Sequence, residues 1–184
     1  MKIYKISENV EEYQWLMPNN EGDLISKLSF DCDSKAQGWS TLEMHVFNPK
    51  KTKGNFYSLG GIGVLVVDEK AKDILLDVFE LAGEVLPLNN DGEILYAVNV
   101  LECTNALNQE KTHWHYYENG QKGRILQYSF HKDRLTESSL FKIPETSKAD
   151  ILTYSGIKDK DDEFFHLYHR YNLSGLLFEE IYSD

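Results

Sequence analysis

Six histidines, two cysteines and thirty acidic residues are the side chains of this 184-residue chain with the most obvious capacity for chemistry. His113 and His115 flank Trp114, so on a strand the two imidazoles share a face. There they can both touch one metal ion, or serve a hydrolase together with nearby carboxylates. A metal site needs a third ligand and supporting hydrogen bonds, and the local sequence supplies neither. The competing reading is a polar outer strand face whose other side carries Trp114 and Tyr116. His166 and His169 stand at helical i and i+3, beside Arg170 in the last turn of an expected helix. Polar or positive groups suit the helix dipole there without any metal. No metal and no cofactor are expected.

Nucleophile and phosphate motifs fare no better. Cys32 and Cys103 lie far apart and form no C-x-x-C pair, so they read as reduced, buried thiols in a reducing compartment. Nothing beside Cys103 points to a lowered pKa. Ser155-Gly156 and Ser174-Gly175 lack the strand-to-helix elbow of a serine hydrolase. Gly60-Gly61-Ile62-Gly63 precedes a strand, whereas a dinucleotide fingerprint follows one and opens a helix. No Lys-Ser/Thr pair follows it, so a P-loop is excluded, and backbone clearance or a bulge explains the glycines better. Acidic runs at Glu8, Glu11 and Glu12, at Asp159, Asp161, Asp162 and Glu163, and at Glu179, Glu180 and Asp184 are either solvated faces or a surface that steers a basic partner. Of these, Asp159, Asp161, Asp162 and Glu163 are the expected partner-binding residues.

The elements that must position these groups are legible in the pattern. Val64 to Val67 is an apolar run of strand length, and Asp68 is placed to cap the helix that follows. Ala71, Ile74, Leu75, Val78, Phe79 and Ala82 recur at helical spacing, with Gly83 where a left-handed cap is expected. Glu84 to Leu88 and Ile94 to Leu101 read as strands joined by Asn89-Asn90-Asp91-Gly92. Trp114 to Tyr117 and Arg124 to Phe130 read as a second hairpin turned through Asn119-Gly120. Upstream, Ile3 to Ile6, Glu12 to Leu16 and Leu42 to Phe47 read as strands, with a break at Pro18 to Gly22 and a solvated basic turn at Lys50 to Gly54. Downstream, Ser139 to Ile143 and Ile151 to Tyr154 read as strands around Pro144. Asp161-Asp162-Glu163 is expected to open a second helix that buries Phe164, Leu167, Tyr168 and Tyr171. Asn172 to Gly175 ends it before a strand at Leu176 to Phe178. The fold class predicted is α+β, a mostly antiparallel sheet with two main helices packed against it, in one domain over 1–184.

Composition narrows the class of partner. Eleven Tyr, nine Phe and three Trp suit pleated sheet surfaces. Thirty acids against 19 Lys and Arg give a net charge of −11, which disfavours nucleic acid and anionic membranes as partners. The first fifteen residues alternate like a strand and lack a signal-peptide core, and no apolar run reaches the length of a membrane span. A cytoplasmic location is expected.

Several blocks, taken in order, resemble the bacterial polymorphic-toxin immunity proteins, specifically immunity family eleven, formerly a domain of unknown function. Gly63 to Leu75 is similar to the strand-then-helix segment of that family. Tyr96 to Leu101, followed by Ala106-Leu107-Asn108, is similar to its central strand, with amides in Thr104-Asn105-Ala106-Leu107-Asn108 where the family usually carries acids. Leu140-Phe141-Lys142-Ile143 resembles a later strand of that family, and Asn172 to Phe178 its C-terminal ending. The resemblance spans about residues 58–180 and leaves the strand-rich 1–57 uncovered. It implies a small protein without catalytic residues that neutralises a cognate toxin by stoichiometric binding. The alternatives are a hydrolase using His113 and His115 with carboxylates, and a ligand-binding or regulatory module without a toxin partner.

Overall fold

The computed structural model describes residues 1–59 and 63–184; the expectation at Gly60, Gly61 and Ile62 lies outside them. The chain is α+β, with mostly antiparallel sheets and few helices. Its strands and helices run in the order β1 (Lys2–Glu8), β2 (Leu16–Pro18), α1 (Gly22–Ser26), β3 (Leu42–Val46), β4 (Phe56–Tyr57), β5 (Leu65–Val67), α2 (Glu69–Ala82) and β6 (Gly83–Asn90). There follow β7 (Glu93–Val100), β8 (His113–Tyr116), β9 (Lys122–Gln127), β10 (Leu140–Phe141), β11 (Ile151–Ser155), α3 (Phe164–Arg170) and β12 (Leu176–Ser183). They form a four-stranded sheet ordered β10-β11-β1-β12, a six-stranded sheet ordered β2-β3-β6-β7-β5-β4, and the separate ribbon β8-β9. Among the named strands, the pairing of β3 with β6 is parallel and the others are antiparallel. No helix among the described residues is long and apolar enough to cross a membrane.

Alternation along the strands feeds three cores. Val98 and Val100 of β7 join Leu65, Val67 and Phe56 on one face of the six-stranded sheet. Opposite them stand Ile6, Leu140, Ile151 and Leu176 of the four-stranded sheet, with α2 and α3 contributing to the same cluster. The intervening β7 residues Leu95 and Ala97 point the other way, into a second core with Leu86, Leu88, Met44 and Tyr57. Leu28 and Phe30, carried by the chain after α1, help close that core. A third lies on the far side of the four-stranded sheet, where Ile3, Phe141, Leu152 and Tyr154 meet Phe130, Ala106 and Leu107, with Trp114 and Ile125 of the ribbon packed against them. Period-two strand geometry is what sends adjacent residues to different cores.

Helix α2 follows its periodicity closely. Ala71, Leu75, Val78, Phe79 and Ala82 are buried, and Ile74 is partly buried. Asp68 caps the helix as expected, its Oδ1 accepting from Ala71 N at 2.7 Å while Asn55 Nδ2 donates to Oδ2 at 2.8 Å. Asp68→Ala should therefore cost about 1 kcal/mol, visible as a lower denaturant midpoint. An unchanged midpoint would mean the cap carries no stability.

Other expectations need correction. Gly83 is not a left-handed cap: its φ is 165°, ordinary extended backbone, and the helix passes directly into β6. Glycine is needed there for space, because a Cβ would lie 2.0 Å from Asn99 O. The strand expected at Glu12 to Leu16 begins only at Leu16, with Tyr13 and Trp15 making single parallel bridges to Thr52 and Ser58. The break after Pro18 contains α1, a five-residue helix without a buried residue, which no apolar stripe announced. The basic turn is less solvated than its composition suggested, since Lys51 Nζ donates to Val10 O at 2.6 Å and Lys53 pairs with Glu93. Helix α3 starts at Phe164, and Asp161 and Asp162 lie before it in a separate 3-10 turn. Tyr171 is the residue after that helix and is largely exposed, while Phe164, Leu167 and Tyr168 are buried as expected.

Candidate functional site

The ribbon β8-β9 and the turn that joins its strands carry three exposed large hydrophobic side chains, Tyr116, Tyr117 and Leu126. The inner side of the ribbon is anchored: Trp114 pairs in register with Ile125, and both pack against the third core. Lys122 Nζ lies over the Trp114 ring, 4.4 Å from its centroid, adding a cation–π contact at this exposed site. Register shifts on both sides of Trp114 then turn the strand out of simple alternation. The consequence is that Tyr116, expected beside Trp114 on the inner face, is 56% exposed. Tyr117 is also 56% exposed and Leu126 57%. Tyr117 packs edge-on to His115, with ring centroids 5.1 Å apart. Gly123 permits that packing, because a Cβ there would come within 3.0 Å of both the His115 ring and the Tyr117 ring.

The histidine pair belongs to this surface. His113 and His115 are both exposed on the ribbon, whose inner side carries Trp114 but not the expected Tyr116. Among the described residues, no group of three or more His, Cys, Asp or Glu has the geometry to hold a metal ion. His166 and His169 do different work. His166 Nε2 lies 3.2 Å from Glu163 Oε2. His169 sits edge-on to Phe165, 4.5 Å between centroids, and burial followed by the charge of His166 holds its pKa below the usual histidine value. The glycine at 63 has φ 68° and a backbone so close to Ala149 that a Cβ would meet its carbonyl oxygen at 2.1 Å. That is backbone clearance, not a phosphate cradle.

The four acids expected to face a partner separate into two kinds. Asp159, Asp161 and Asp162 are exposed in and beside the 3-10 turn at 160–162, where Asp161 pairs with Arg170. Glu163 is fully buried. Its Oε2 accepts from Gly156 N at 3.0 Å, and its Oε1 accepts from Ile157 N at 2.8 Å and Lys158 N at 2.9 Å. It organises the loop between β11 and α3 and does not belong to a partner-facing surface. A run of four acids within five residues looks uniform in sequence; only the fold turns one of them inward.

A second polar group was invisible in the sequence. Lys142 is fully buried, and its Nζ donates to Phe30 O at 2.6 Å. Burial, the largest influence, pushes its pKa below the ordinary lysine value. Its neighbours Phe141 and Ile143 are the only local hint, because both are core residues flanking a charge. Asn99, also fully buried, donates from Nδ2 to Asp33 O at 2.9 Å and to Glu84 Oε2 at 3.0 Å. Both side chains hold the segment after α1 rather than a substrate.

No protein-family model matches the chain, and no curated protein matches it either.

Proposed function

We propose that this protein is an immunity protein that binds a cognate bacterial toxin in a stoichiometric complex and neutralises it in the cytoplasm. The observation that carries this reading is the ribbon surface of Tyr116, Tyr117 and Leu126, each more than half exposed on a ribbon whose other side is anchored in the core. Aromatic side chains held on a rigid support are favoured binding anchors, because they bury large area with little loss of side-chain freedom. The ordered sequence blocks from Gly63 to Phe178 supply the role, and the net charge of −11 suits fast association with a basic toxin. The exposed acids Asp159, Asp161 and Asp162 belong to the long-range steering field in this reading, and the ribbon to the contact itself.

Co-expression with the toxin encoded by the adjacent reading frame should restore growth, and the two proteins should co-purify at fixed stoichiometry. Tyr116→Ala and Tyr117→Ala together should weaken the complex by roughly 30-fold or more, the scale of one interface hot spot, while leaving the denaturant midpoint unchanged. If the toxin is basic, added salt should mainly slow association, since exposed charges are screened beyond about 8 Å at physiological ionic strength. Growth rescue without any detectable complex would defeat the binding model and favour an enzyme that reverses the toxin's damage. Tight binding that survives loss of both tyrosines would place the interface elsewhere.

A further inference from the structure

The face of the four-stranded sheet that carries the third core changes character at one end. Ile3 of β1 stands opposite Tyr154 of β11, and both are fully buried in that core. Two positions on, and so on the same face, comes Lys5, opposite Leu152 on one side and Glu179 on the other. Lys5 Nζ reaches Asp150 Oδ1 at 2.8 Å. A cleft of about 440 Å³ lies where the ribbon β8-β9 meets this charged end. Trp114, Ile125 and Tyr128 line it from the ribbon and the chain just beyond, and Ile181 lines it from β12. Burial, and then the charges of Asp150 and Glu179, push the Tyr128 phenol up to about 12, so both carboxylates act on this space.

Two residues of the lining carry a buried polar atom without a hydrogen-bond partner among the described residues. They are Trp114, through the donor Nε1, and Glu145, through the acceptor Oε2. Buried polar atoms are nearly always satisfied, so this pair calls for a partner that the chain does not supply. Both residues are held by their neighbours. Lys122 Nζ lies over the Trp114 ring and donates to Gln109 Oε1 at 3.3 Å, and Gln109 Nε2 donates to Glu145 Oε1. Arg124 and Glu179, exposed on the same cleft, form no ion pair among the described residues. The cleft thus offers one donor and one cation beside one acceptor and one anion. A ligand of a single charge would satisfy one set and be repelled by the other.

We propose that this cleft binds a free α-amino acid with an apolar side chain. The ammonium of the ligand donates to Glu145 Oε2, with Glu179 adding attraction. Its carboxylate accepts from Trp114 Nε1 and pairs with Arg124. The side chain lies against Ile125, Tyr128 and Ile181. A volume of this size, with apolar walls and a few placed polar groups, is that of an ordinary small-ligand pocket.

This inference does not depend on the toxin-binding reading, and the isolated full-length protein tests it. Titration calorimetry with leucine, isoleucine, methionine and phenylalanine at millimolar concentration should show at least one of them binding once per chain. The amide of that amino acid lacks the carboxylate, and its N-acetyl form lacks the ammonium. Each should bind roughly tenfold more weakly or worse. Arg124→Ala and Glu179→Ala should each weaken binding of the amino acid by roughly tenfold, with the melting midpoint of the ligand-free protein unchanged. The comparison of amino acid, amide and N-acetyl form on the unaltered chain decides the matter even if a variant folds poorly. No binding by any of the four amino acids, equal binding of the amide or the N-acetyl form, or full affinity in both variants would overturn the proposal.

Discussion

Phe79→Ala should destabilise the protein by about 3–5 kcal/mol, the cost of emptying a large aromatic position in a packed core. Phe79 is fully buried on α2 and packs against Phe164 of α3, ring centroids 6.2 Å apart, so its removal loosens the junction between the two helices. Leu75, one turn earlier and also fully buried, should cost about 2–5 kcal/mol when cut to alanine. Leu81 lies on the same helix but is 51% exposed, and Leu81→Ala should change stability by no more than about 0.5 kcal/mol. Denaturant melts of the three variants test the buried stripe directly. Equal midpoints for Phe79→Ala and Leu81→Ala would mean that the helix packs through a different face.

Removing the Glu163 carboxylate should be the most damaging change of charge. Glu163→Ala should cost about 2–4 kcal/mol, because three backbone amides lose a charged acceptor in a part-buried loop. Glu163→Gln should be only partly protective: it keeps the shape, but sets an NH2 group against amide donors. Asp161→Ala and Asp162→Ala, on exposed residues, should stay within about 0.5 kcal/mol of the unaltered chain. This contrast bears on the binding experiment as well. Charge reversal across all four acids would mix a folding defect with any electrostatic effect, whereas reversal at Asp159, Asp161 and Asp162 isolates steering. A Glu163→Ala protein as stable as the original would show that water or a rearranged loop satisfies those amides at little cost.

Much of the architecture was legible because its signals are local. The helical recurrence from Ala71 to Ala82 and the Asp68 cap need only the spacing of neighbouring residues, and both appear as read. The hairpin between β6 and β7 turns at Asp91 and Gly92, with φ of 49° and 90°, within the polar turn that separated two apolar runs. The α+β class followed from those periods. Helix α1 is not legible in the sequence, because five residues without a buried face leave no periodic trace. A glycine after a helix usually marks a left-handed cap, but at Gly83 the demand is for space and comes from a strand sixteen positions later.

The candidate surfaces divide along the same line. Sequence alone determined which residues are acidic, aromatic or thiol-bearing, and that His113 and His115 alternate around a tryptophan. It also ordered the blocks that resemble an immunity family. Only the tertiary structure decided which of those groups meet water and which meet each other. It turned Glu163 inward among backbone amides and buried Lys142 with its ammonium on the Phe30 carbonyl. It also set Tyr116 and Tyr117 on an exposed ribbon. The physical reason is range: helix and strand periods act over a few residues, whereas burial and the pairing of polar groups depend on segments a hundred positions apart coming into contact.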